Sequence, residues 1–207
     1  MKHKGIIVVI SGFSGTGKGT LMKELIKRYD DYELSVSATT RNPREGEVDG
    51  REYHFISDEA FEKMIEEDGL IEHAGYCKHY YGTPKKFVED KINEGKDVIL
   101  EIEIQGALQI KKKFPNALLL FVMPPSADEL KKRLVGRGTE TVEVINERLH
   151  RAKEESEGIE NYDYILVNDN LDTCVVEMDS CIRAAHLAPR RNAEFIDDFR
   201  NQLKKFE

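Results

Sequence analysis

The segment that most constrains the fold is rich in glycine and carries a single lysine. It reads Gly12-Phe13-Ser14-Gly15-Thr16-Gly17-Lys18-Gly19-Thr20. Residues 6–10 before it are all apolar and β-branched, which is typical of a central strand covered on both faces. Apolar residues follow it at helical spacing: Leu21, Met22, Leu25, Ile26 and Tyr29. Strand, glycine turn and helix in this order predict a phosphate-binding loop, because glycine lets successive N–H groups converge on an anion at a helix N-terminus.

The loop also predicts where a nucleotide and its metal ion bind. Lys18 is placed to reach the β- and γ-phosphates. Gly19 stands where the common pattern has serine or threonine, so the hydroxyl group of Thr20 becomes the expected ligand of Mg²⁺. The alternative is a glycine-rich β–α turn that binds nothing.

Short apolar runs alternate with helical patterns along the chain, which predicts an α/β fold of three layers with a parallel sheet between helices. Further buried strands are expected at residues 98–100, 117–123 and 164–167. Phe195, Ile196, Phe199 and Leu203 have helical spacing and predict a C-terminal helix that packs on the body.

Two stretches interrupt this alternation and are predicted to be mobile flaps. Residues 34–90 have short alternating runs and turn signals, and indicate an inserted mixed α/β region. Residues 126–157 indicate a charged helical hairpin, with Ser126 and Glu129 as a capping box. Residues 1–33, 91–125 and 158–207 then form the core.

Two arginines three residues apart, Arg41 and Arg44, flank a proline turn. Each guanidinium group offers a planar fork of donors, so together they can clamp one phosphate. The alternative is a pair of surface arginines in a loop.

A carboxylate beside aromatic residues suits guanine, whose N1–H and amino group form an edge of two donors. Glu72 precedes the run His79-Tyr80-Tyr81-Gly82-Thr83 and is a candidate for this role. Taken alone, its position favours a solvated residue at a helix end.

The remaining charged candidates come from the core and the hairpin. Glu101 and Glu103 follow a predicted parallel strand, whose carboxyl end borders the ligand crevice, and are expected to hold Mg²⁺ or its waters or to reach a second nucleotide. Arginines on a closing flap can neutralise a phosphoryl group in transfer, and Arg133, Arg137 and Arg148 are the candidates. The alternative is a salt-bridged helix exterior with Glu140, Glu143 and Glu147.

Four motifs in order resemble those of the guanylate kinase family over about residues 5–187. They are the loop at 12–20, the block at 37–53, Tyr80-Tyr81-Gly82-Thr83 and Arg133-Leu134-Val135-Gly136-Arg137-Gly138-Thr139-Glu140. The resemblance implies a P-loop kinase that transfers the γ-phosphoryl group of ATP to GMP, and to dGMP, with Mg²⁺. It also implies that residues 34–90 form the GMP-binding region and residues 126–157 the lid.

The same resemblance implies individual roles. Guanine would contact Ser37, Glu72, Thr83 and Glu103, and the GMP phosphate would contact Arg41, Arg44, Tyr53 and Tyr81. Residues 12–19 would hold the ATP phosphates, Asn168 would lie near adenine, and Arg133, Arg137 and Arg148 would close over the transferring group. Glu101 and Glu103 stand where the family often has aspartate, and Thr83 where serine also occurs.

Two rival functions remain open from the sequence. A kinase for AMP, UMP or dTMP shares the loop but does not need Ser37, Glu72 and Thr83 as a guanine-reading set. A non-catalytic guanylate-kinase-like module would bind phosphorylated protein segments through Arg41 and Arg44. Such modules have a degraded ATP loop, whereas Lys18 and the glycines are intact here.

Composition excludes some partners. With 31 Lys and Arg against 39 Asp and Glu, the net charge is −8, which argues against nucleic-acid binding. The longest apolar run, residues 117–123, is far shorter than the ~20 residues of a membrane span. The run at 6–10 is shorter than the ~7 residues of a signal-peptide core, so we expect a cytoplasmic protein that does not associate with membranes. The sequence does not fix the oligomeric state.

Overall fold

The computed structural model describes residues 4–76, 78–136 and 141–206. Its centre is a five-stranded sheet in which every neighbouring pair of strands is parallel. In sheet order the strands are β2 (Tyr32–Leu34), β7 (Asp97–Glu101), β1 (Ile7–Gly12), β8 (Leu118–Met123) and β9 (Tyr164–Val167). The glycine-rich loop therefore leaves the middle strand, as its apolar composition predicted.

Helices cover both faces of this sheet. Successive side chains of β1 point to opposite faces, so this strand contributes to the core on each side. Val8 and Ile10 pack into one core cluster with α1 (Lys18–Arg28) and α7 (Leu171–His186). Ile7 and Val9 pack into a second cluster on the other face, with α3 (Lys85–Glu94) and α4 (Ile104–Lys113). The expected three-layer α/β arrangement is confirmed.

A second, mixed sheet of four strands lies within residues 38–84. Its order is β4 (His54–Phe55), β3 (Ala38–Thr39), β6 (His79–Pro84) and β5 (Leu70–Tyr76), with α2 (Asp58–Glu66) packed against it through Phe61. Two side chains of α4 fix this sheet to the core. Gln109 donates to the carbonyl oxygen of His73 at 3.2 Å, and Lys113 donates to that of Ile71 at 3.0 Å. Strand β5 is thereby held beside the C-terminal half of α4.

The charged hairpin consists of α5 (Ala127–Gly136) and α6 (Val142–Ser156). The Ser126 hydroxyl group accepts the N–H of Glu129 at 3.1 Å, so this part of the predicted cap is confirmed. Both helices share a core cluster with Phe13 of the glycine-rich loop and Phe121 of β8, whose rings meet edge to face at 5.1 Å. The hairpin and the loop therefore rest on the same aromatic pair.

The C-terminal helix α8 (Ala193–Leu203) forms, but the prediction that it packs on the body is wrong. None of its residues is buried. Amphipathic spacing defines an apolar side of a helix and does not define what covers it. Within the described ranges, no helix combines the length and apolar character that crossing a membrane requires.

Candidate active site

The glycine-rich loop has a backbone course that side chains would obstruct at two of its glycines. Gly12 ends β1 beside β8, and a Cβ atom there would lie 2.1 Å from the carbonyl oxygen of Val122. Gly17 stands directly before α1 with a left-handed φ of +86°. Glycine is therefore required at both positions, by close approach at the first and by positive φ at the second.

Buried contacts hold the loop in shape from below. The Thr16 side chain is buried and donates to the carbonyl oxygen of Phe13 at 3.0 Å. The buried Asn168 amide group donates to the carbonyl oxygen of Thr16 at 2.7 Å. Thr16 and Phe13 thus anchor the loop, while the predicted contact of Asn168 with adenine stays a prediction.

Above the loop lies a cavity of about 820 Å³, a size that fits a nucleotide. Its walls include these predicted phosphate-site residues: Gly12, Ser14, Gly15, Gly17, Lys18, Gly19 and Thr20. The Lys18 ammonium group is held over the loop by the carbonyl oxygens of Gly12 and Phe13, at 2.8 and 3.2 Å. A cation is thereby placed at the start of α1, where the helix dipole already favours anions.

The hairpin arginines take different positions around this cavity. Arg148 lines it and donates to the hydroxyl group of Ser14. Arg133 donates instead to Glu129 at 2.9 Å and to the carbonyl oxygen of Asn168 at 2.8 Å, outside both cavity walls as far as the structure describes them. Arg137 lies outside the described residues.

Arg151 of α6 also lines the cavity, next to Arg148. The sequence reasoning missed this residue. It donates to Glu103 at 2.7 Å and to Glu155 at 3.0 Å, and thus links α6 to the start of α4. Its position three residues after Arg148, on the same side of one helix, is the signal that identifies it.

A second cavity of about 340 Å³ lies between the two sheets, and its wall contains most of the predicted substrate residues. These are Ser37, Arg41, Arg44, Tyr53, Glu72, Tyr81, Glu101 and Glu103. The two cavities share part of their walls, namely Arg44, Tyr53, Glu101, Ile102, Glu103 and Arg151. They therefore adjoin, so two ligands can meet there.

One end of the second cavity is cationic and aromatic. Arg41 forms a bidentate ion pair with Glu47, with both N–O distances at 2.9 Å. Its guanidinium group also lies 5.4 Å from the ring centre of Tyr53, and that ring meets Tyr81 at 5.8 Å. Glu47 further accepts the backbone N–H of Arg44 at 2.7 Å. The bond from Arg41 lowers the pKa of Glu47, which the sequence reasoning did not assign as a site residue.

The other end of the second cavity contains a buried carboxylate. Glu72 lies in the middle of β5 with 3% of its surface exposed, so its interpretation as a solvated helix-end residue is wrong. Its Oε1 atom accepts a hydrogen bond of 2.6 Å from the hydroxyl group of Thr83, which is buried behind the cavity wall. Burial raises the pKa of Glu72, and the bond from Thr83 acts in the opposite direction.

The two predicted strand-end glutamates lie where the cavities meet. Glu101 ends β7, and Glu103 directly precedes α4. Although Glu101 is exposed to the cleft, desolvation there raises its pKa, and the Lys18 ammonium group lowers it by less. Burial likewise raises the pKa of Glu103, and its ion pair with Arg151 opposes the shift. Both carboxylates thus line the region where the cavities meet, and their contact with Mg²⁺ or a nucleotide stays a prediction.

A lysine-bearing phosphate loop on an α/β core, an adjoining polar cavity and a hairpin arginine over the loop together define a P-loop nucleoside-monophosphate kinase. The guanylate kinase family model matches residues 4–185. The chain belongs to the guanylate kinase family.

Individual relatives agree with this assignment. The chain is 50% identical over 193 residues to the guanylate kinase of Halalkalibacterium halodurans, covering 93% of this chain and 95% of that protein. It is 48% identical over 194 residues to the guanylate kinase of Caldanaerobacter subterraneus subsp. tengcongensis, covering 94% of each. The crystal structure of guanylate kinase from Anaplasma phagocytophilum superposes with a TM-score of 0.75 at 30% identity, covering 91% of this chain and 90% of that one.

Proposed function

We propose that this chain transfers the γ-phosphoryl group of ATP to GMP, and to dGMP, forming ADP and the guanosine diphosphate in the presence of Mg²⁺. The observation that carries the proposal is the shared wall between the phosphate-loop cavity and the Glu72 cavity. ATP phosphates in the first cavity and a GMP phosphate in the second would meet at Arg44, Tyr53 and Glu101. Membership of the guanylate kinase family supports the choice of both substrates.

In this arrangement the second cavity would bind the guanine base of GMP at one end and its phosphate at the other. We assign Glu72 to the guanine N1–H and amino group, because a carboxylate accepts from two donors while adenine offers a lone pair at N1. Ser37, Thr83 and Glu103 are assigned to the same base. Arg41, Arg44, Tyr53 and Tyr81 are assigned to the phosphate, whose charge suits the paired guanidinium groups.

Catalysis would come from charge neutralisation and alignment. The GMP phosphate is already ionised, so no strong base is needed, and the difficulty is to bring two anions into line without water. Lys18, Arg41 and the lid arginines Arg133, Arg137 and Arg148 would offset the repulsion. We propose the region 34–90 as the GMP-binding part and 126–157 as the lid, whose closure would exclude water.

The loop cavity also provides suitable ligands for the metal ion. Among the described residues, no three or more His, Cys, Asp or Glu side chains are grouped to hold a metal by themselves. Mg²⁺ fits a site of this kind, since it keeps several waters and binds through one or two protein oxygens and substrate phosphates. We assign the Thr20 hydroxyl group to the ion, with Glu101 acting through its waters; when bound, the ion would neutralise phosphate charge.

The test is an ADP-release assay with ATP–Mg²⁺ and each of GMP, dGMP, AMP, UMP and dTMP. We expect turnover with GMP and dGMP and little with the others. A preference for AMP would support the rival nucleotide kinase. Binding of ATP–Mg²⁺ by calorimetry separates a kinase from a non-catalytic module, which would not bind it.

Replacing Arg44 with alanine should weaken the use of GMP. Hydrogen bonds to charged groups contribute about 1.5–3 kcal/mol each, so we expect KM for GMP to rise about 10- to 100-fold with little change in KM for ATP. Arg51→Ala is the matched control, because Arg51 lies in the same loop region, pairs with Glu52 and is outside both cavity walls as described. Equal effects of the two substitutions on GMP would remove Arg44 from the phosphate site.

Gly106 of α4 leaves space for the Glu72 carboxylate, so Gly106→Ala should also impair GMP use. A Cβ atom at Gly106 would lie only 2.8 Å from Glu72 Oε2. Alanine is more favourable than glycine inside a helix by up to about 1 kcal/mol, so the substitution should not unfold α4. It should instead displace the Glu72 carboxylate, and a displacement of about 1 Å can reduce rates 100-fold. We therefore expect KM for GMP to rise at least about tenfold.

The control for this variant is Leu108→Ala, on an exposed position of the same helix. Initial-rate kinetics with each substrate varied in turn provide the measurement. If GMP kinetics in Gly106→Ala match those of Leu108→Ala, the carboxylate of Glu72 either shifts freely or does not contact the base.

A further inference from the structure

Helix α6 contacts both cavities through two arginines on one of its sides. Arg148 donates to the hydroxyl group of Ser14 in the phosphate loop. Arg151 donates to Glu103, which directly precedes α4 and lines both cavities. Residues three apart lie on the same side of a helix. One helix therefore connects the phosphate loop with the place where the two cavities meet.

The Arg151 guanidinium group lies between two carboxylates. Its Nη2 atom donates to Glu103 Oε2 at 2.7 Å, and its Nε atom donates to Glu155 Oε1 at 3.0 Å. Burial raises the pKa of Glu103, Arg151 lowers it, and the Glu155 carboxylate raises it further, so the two carboxylates repel each other. These three side chains together have no surplus positive charge to offer a phosphate group. The geometry therefore suits Arg151 to joining α6 to Glu103.

The contact between Arg151 and Glu103 lies near the supported end of α6. Gly158, just after this helix, packs on Ile104 at the start of α4, where a Cβ atom on the glycine would lie 3.1 Å from Ile104 Cγ2. A link close to such a support sets the angle at which α6 leaves the body. Arg148 is farther from the support, so its position over the phosphate loop depends on that angle.

Glu103 can hold Arg151 and a ligand at the same time. Its Oε2 atom accepts from Arg151, and a carboxylate accepts several hydrogen bonds, so Oε1 can accept from guanine as proposed above. The Glu103 side chain is 54% exposed, and an exposed ion pair contributes little by itself. GMP in the second cavity would order this side chain and exclude water from the pair, which strengthens it. Each partner of Glu103 thereby favours binding of the other.

We propose that Arg151 is a positioning residue that couples the two substrate sites. Its ion pair with Glu103 holds α6 at the angle that keeps Arg148 over the phosphate loop, and GMP strengthens this pair. GMP bound in one cavity then raises the affinity for ATP in the other, and ATP raises the affinity for GMP by the same factor. This inference rests on the proposed function, because ATP and GMP are the ligands that it couples.

The experiment is calorimetric titration of the full chain with a non-hydrolysable ATP analogue that has an imido group between its β- and γ-phosphates. Affinity is measured with Mg²⁺ in the absence of GMP and at saturating GMP, and the ratio of the two affinities gives the coupling. In the parent chain we expect GMP to raise the affinity about 5- to 20-fold. In Arg151→Ala this ratio should fall about three- to tenfold, while the affinity for the analogue alone changes by less than about twofold.

Three further variants identify the ion pair as the cause. Arg151→Lys keeps a cation that can reach Glu103 and should restore most of the coupling. Lys153→Ala removes a cation from an exposed position of the same helix, outside both cavity walls as described, and should match the parent chain. Glu103→Ala should lower the coupling as Arg151→Ala does, and combining the two substitutions should lower it no further, because both remove the same contact.

The proposal is wrong if GMP does not raise the affinity for the analogue in the parent chain, or if Arg151→Ala keeps the parent ratio. A kept ratio with weaker binding under both conditions would instead make Arg151 a direct phosphate contact. An equal loss of coupling in Lys153→Ala would also contradict the proposal, since any lid cation would then suffice. Failure of the proposed function gives a different result, namely no turnover of GMP by the parent chain, whereas failure of this inference leaves that turnover intact.

Discussion

Replacing Lys18 with alanine will reduce turnover at saturating ATP and GMP by about 10²- to 10³-fold or more while the fold is kept. The Lys18 ammonium group lies over the phosphate loop, held by the carbonyl oxygens of Gly12 and Phe13. Its charge would stabilise the phosphoryl group in transfer, where negative charge has to be neutralised. The buried contacts of Thr16 and Asn168 hold the loop independently of Lys18, so we expect the loop to keep its shape.

The control for this prediction is Lys27→Ala, on the exposed side of the same helix and paired with Glu24. Steady-state rates should be near normal in that variant. Thermal unfolding followed by circular dichroism should show a similar transition for the parent chain and both variants. Near-normal turnover in a folded Lys18→Ala protein would show that the loop is not the catalytic phosphate site.

The second large effect is expected from Glu72→Gln. Glutamine keeps the size of the side chain but presents an N–H₂ group to the donor edge of guanine, so one favourable contact is lost and one repulsive contact is gained. With about 1.5–3 kcal/mol for each hydrogen bond to a charged group, kcat/KM for GMP should fall about 10²- to 10³-fold. The ratio of GMP to AMP use should fall as well, because adenine is no longer opposed by a carboxylate.

The same substitution should act in the opposite direction on stability. Burial raises the pKa of Glu72, so the Glu72 carboxyl group binds its proton more tightly in the folded protein than in the unfolded chain. The free energy of unfolding of the parent chain therefore decreases as pH rises from the ordinary glutamate range through the raised pKa. Glu72→Gln has no ionisable group here and does not lose stability in this way. At pH values above the raised pKa of Glu72, we therefore expect the variant to be at least as stable as the parent chain.

Acid should affect GMP use through the same group. As pH falls through the raised pKa, the Glu72 carboxylate gains a proton and loses acceptor capacity, so kcat/KM for GMP should drop at a higher pH than an ordinary glutamate would cause. Glu101 and Glu103 also have raised pKa values, so the profile is interpreted by comparison with Glu72→Gln. Glu67→Gln, at an exposed carboxylate, is the control. Identical acid limbs in all three proteins would contradict the role of Glu72.

The features that could be predicted from the sequence are those fixed by residues close to one another along the chain. The order of strand, loop and helix around Lys18 follows from apolar periodicity and glycine placement, which act within a few residues of one another. The parallel sheet follows from the same alternation. The strand-end position of Glu101 follows in turn, because the carboxyl ends of parallel strands lie at one edge of the sheet.

Predictions that depended on tertiary packing were less complete. Glu72 was ambiguous because its burial depends on the pairing of β5 with β6 and on α4, which comes much later in the chain. The hairpin arginines are alike in sequence, yet Arg148 of α6 lines the loop cavity while Arg133 of α5 bonds Glu129 and Asn168. Which side of each helix faces the cavity depends on tertiary packing, which the sequence pattern does not give. Helix α8 was placed on the body because its spacing identifies an apolar side and gives no information about its partner.

The aromatic pair Phe13 and Phe121 has a consequence for anyone who redesigns this protein. Leu130 and Leu134 of α5 and Ile145 of α6 press on the same small cluster that supports the glycine-rich loop. Enlarging or shrinking any of these side chains should change the shape of the loop, although none of them lines the described wall of the loop cavity. The interior of the hairpin is therefore a remote means of tuning ATP affinity, and the two parts are best treated as a single module when either is engineered.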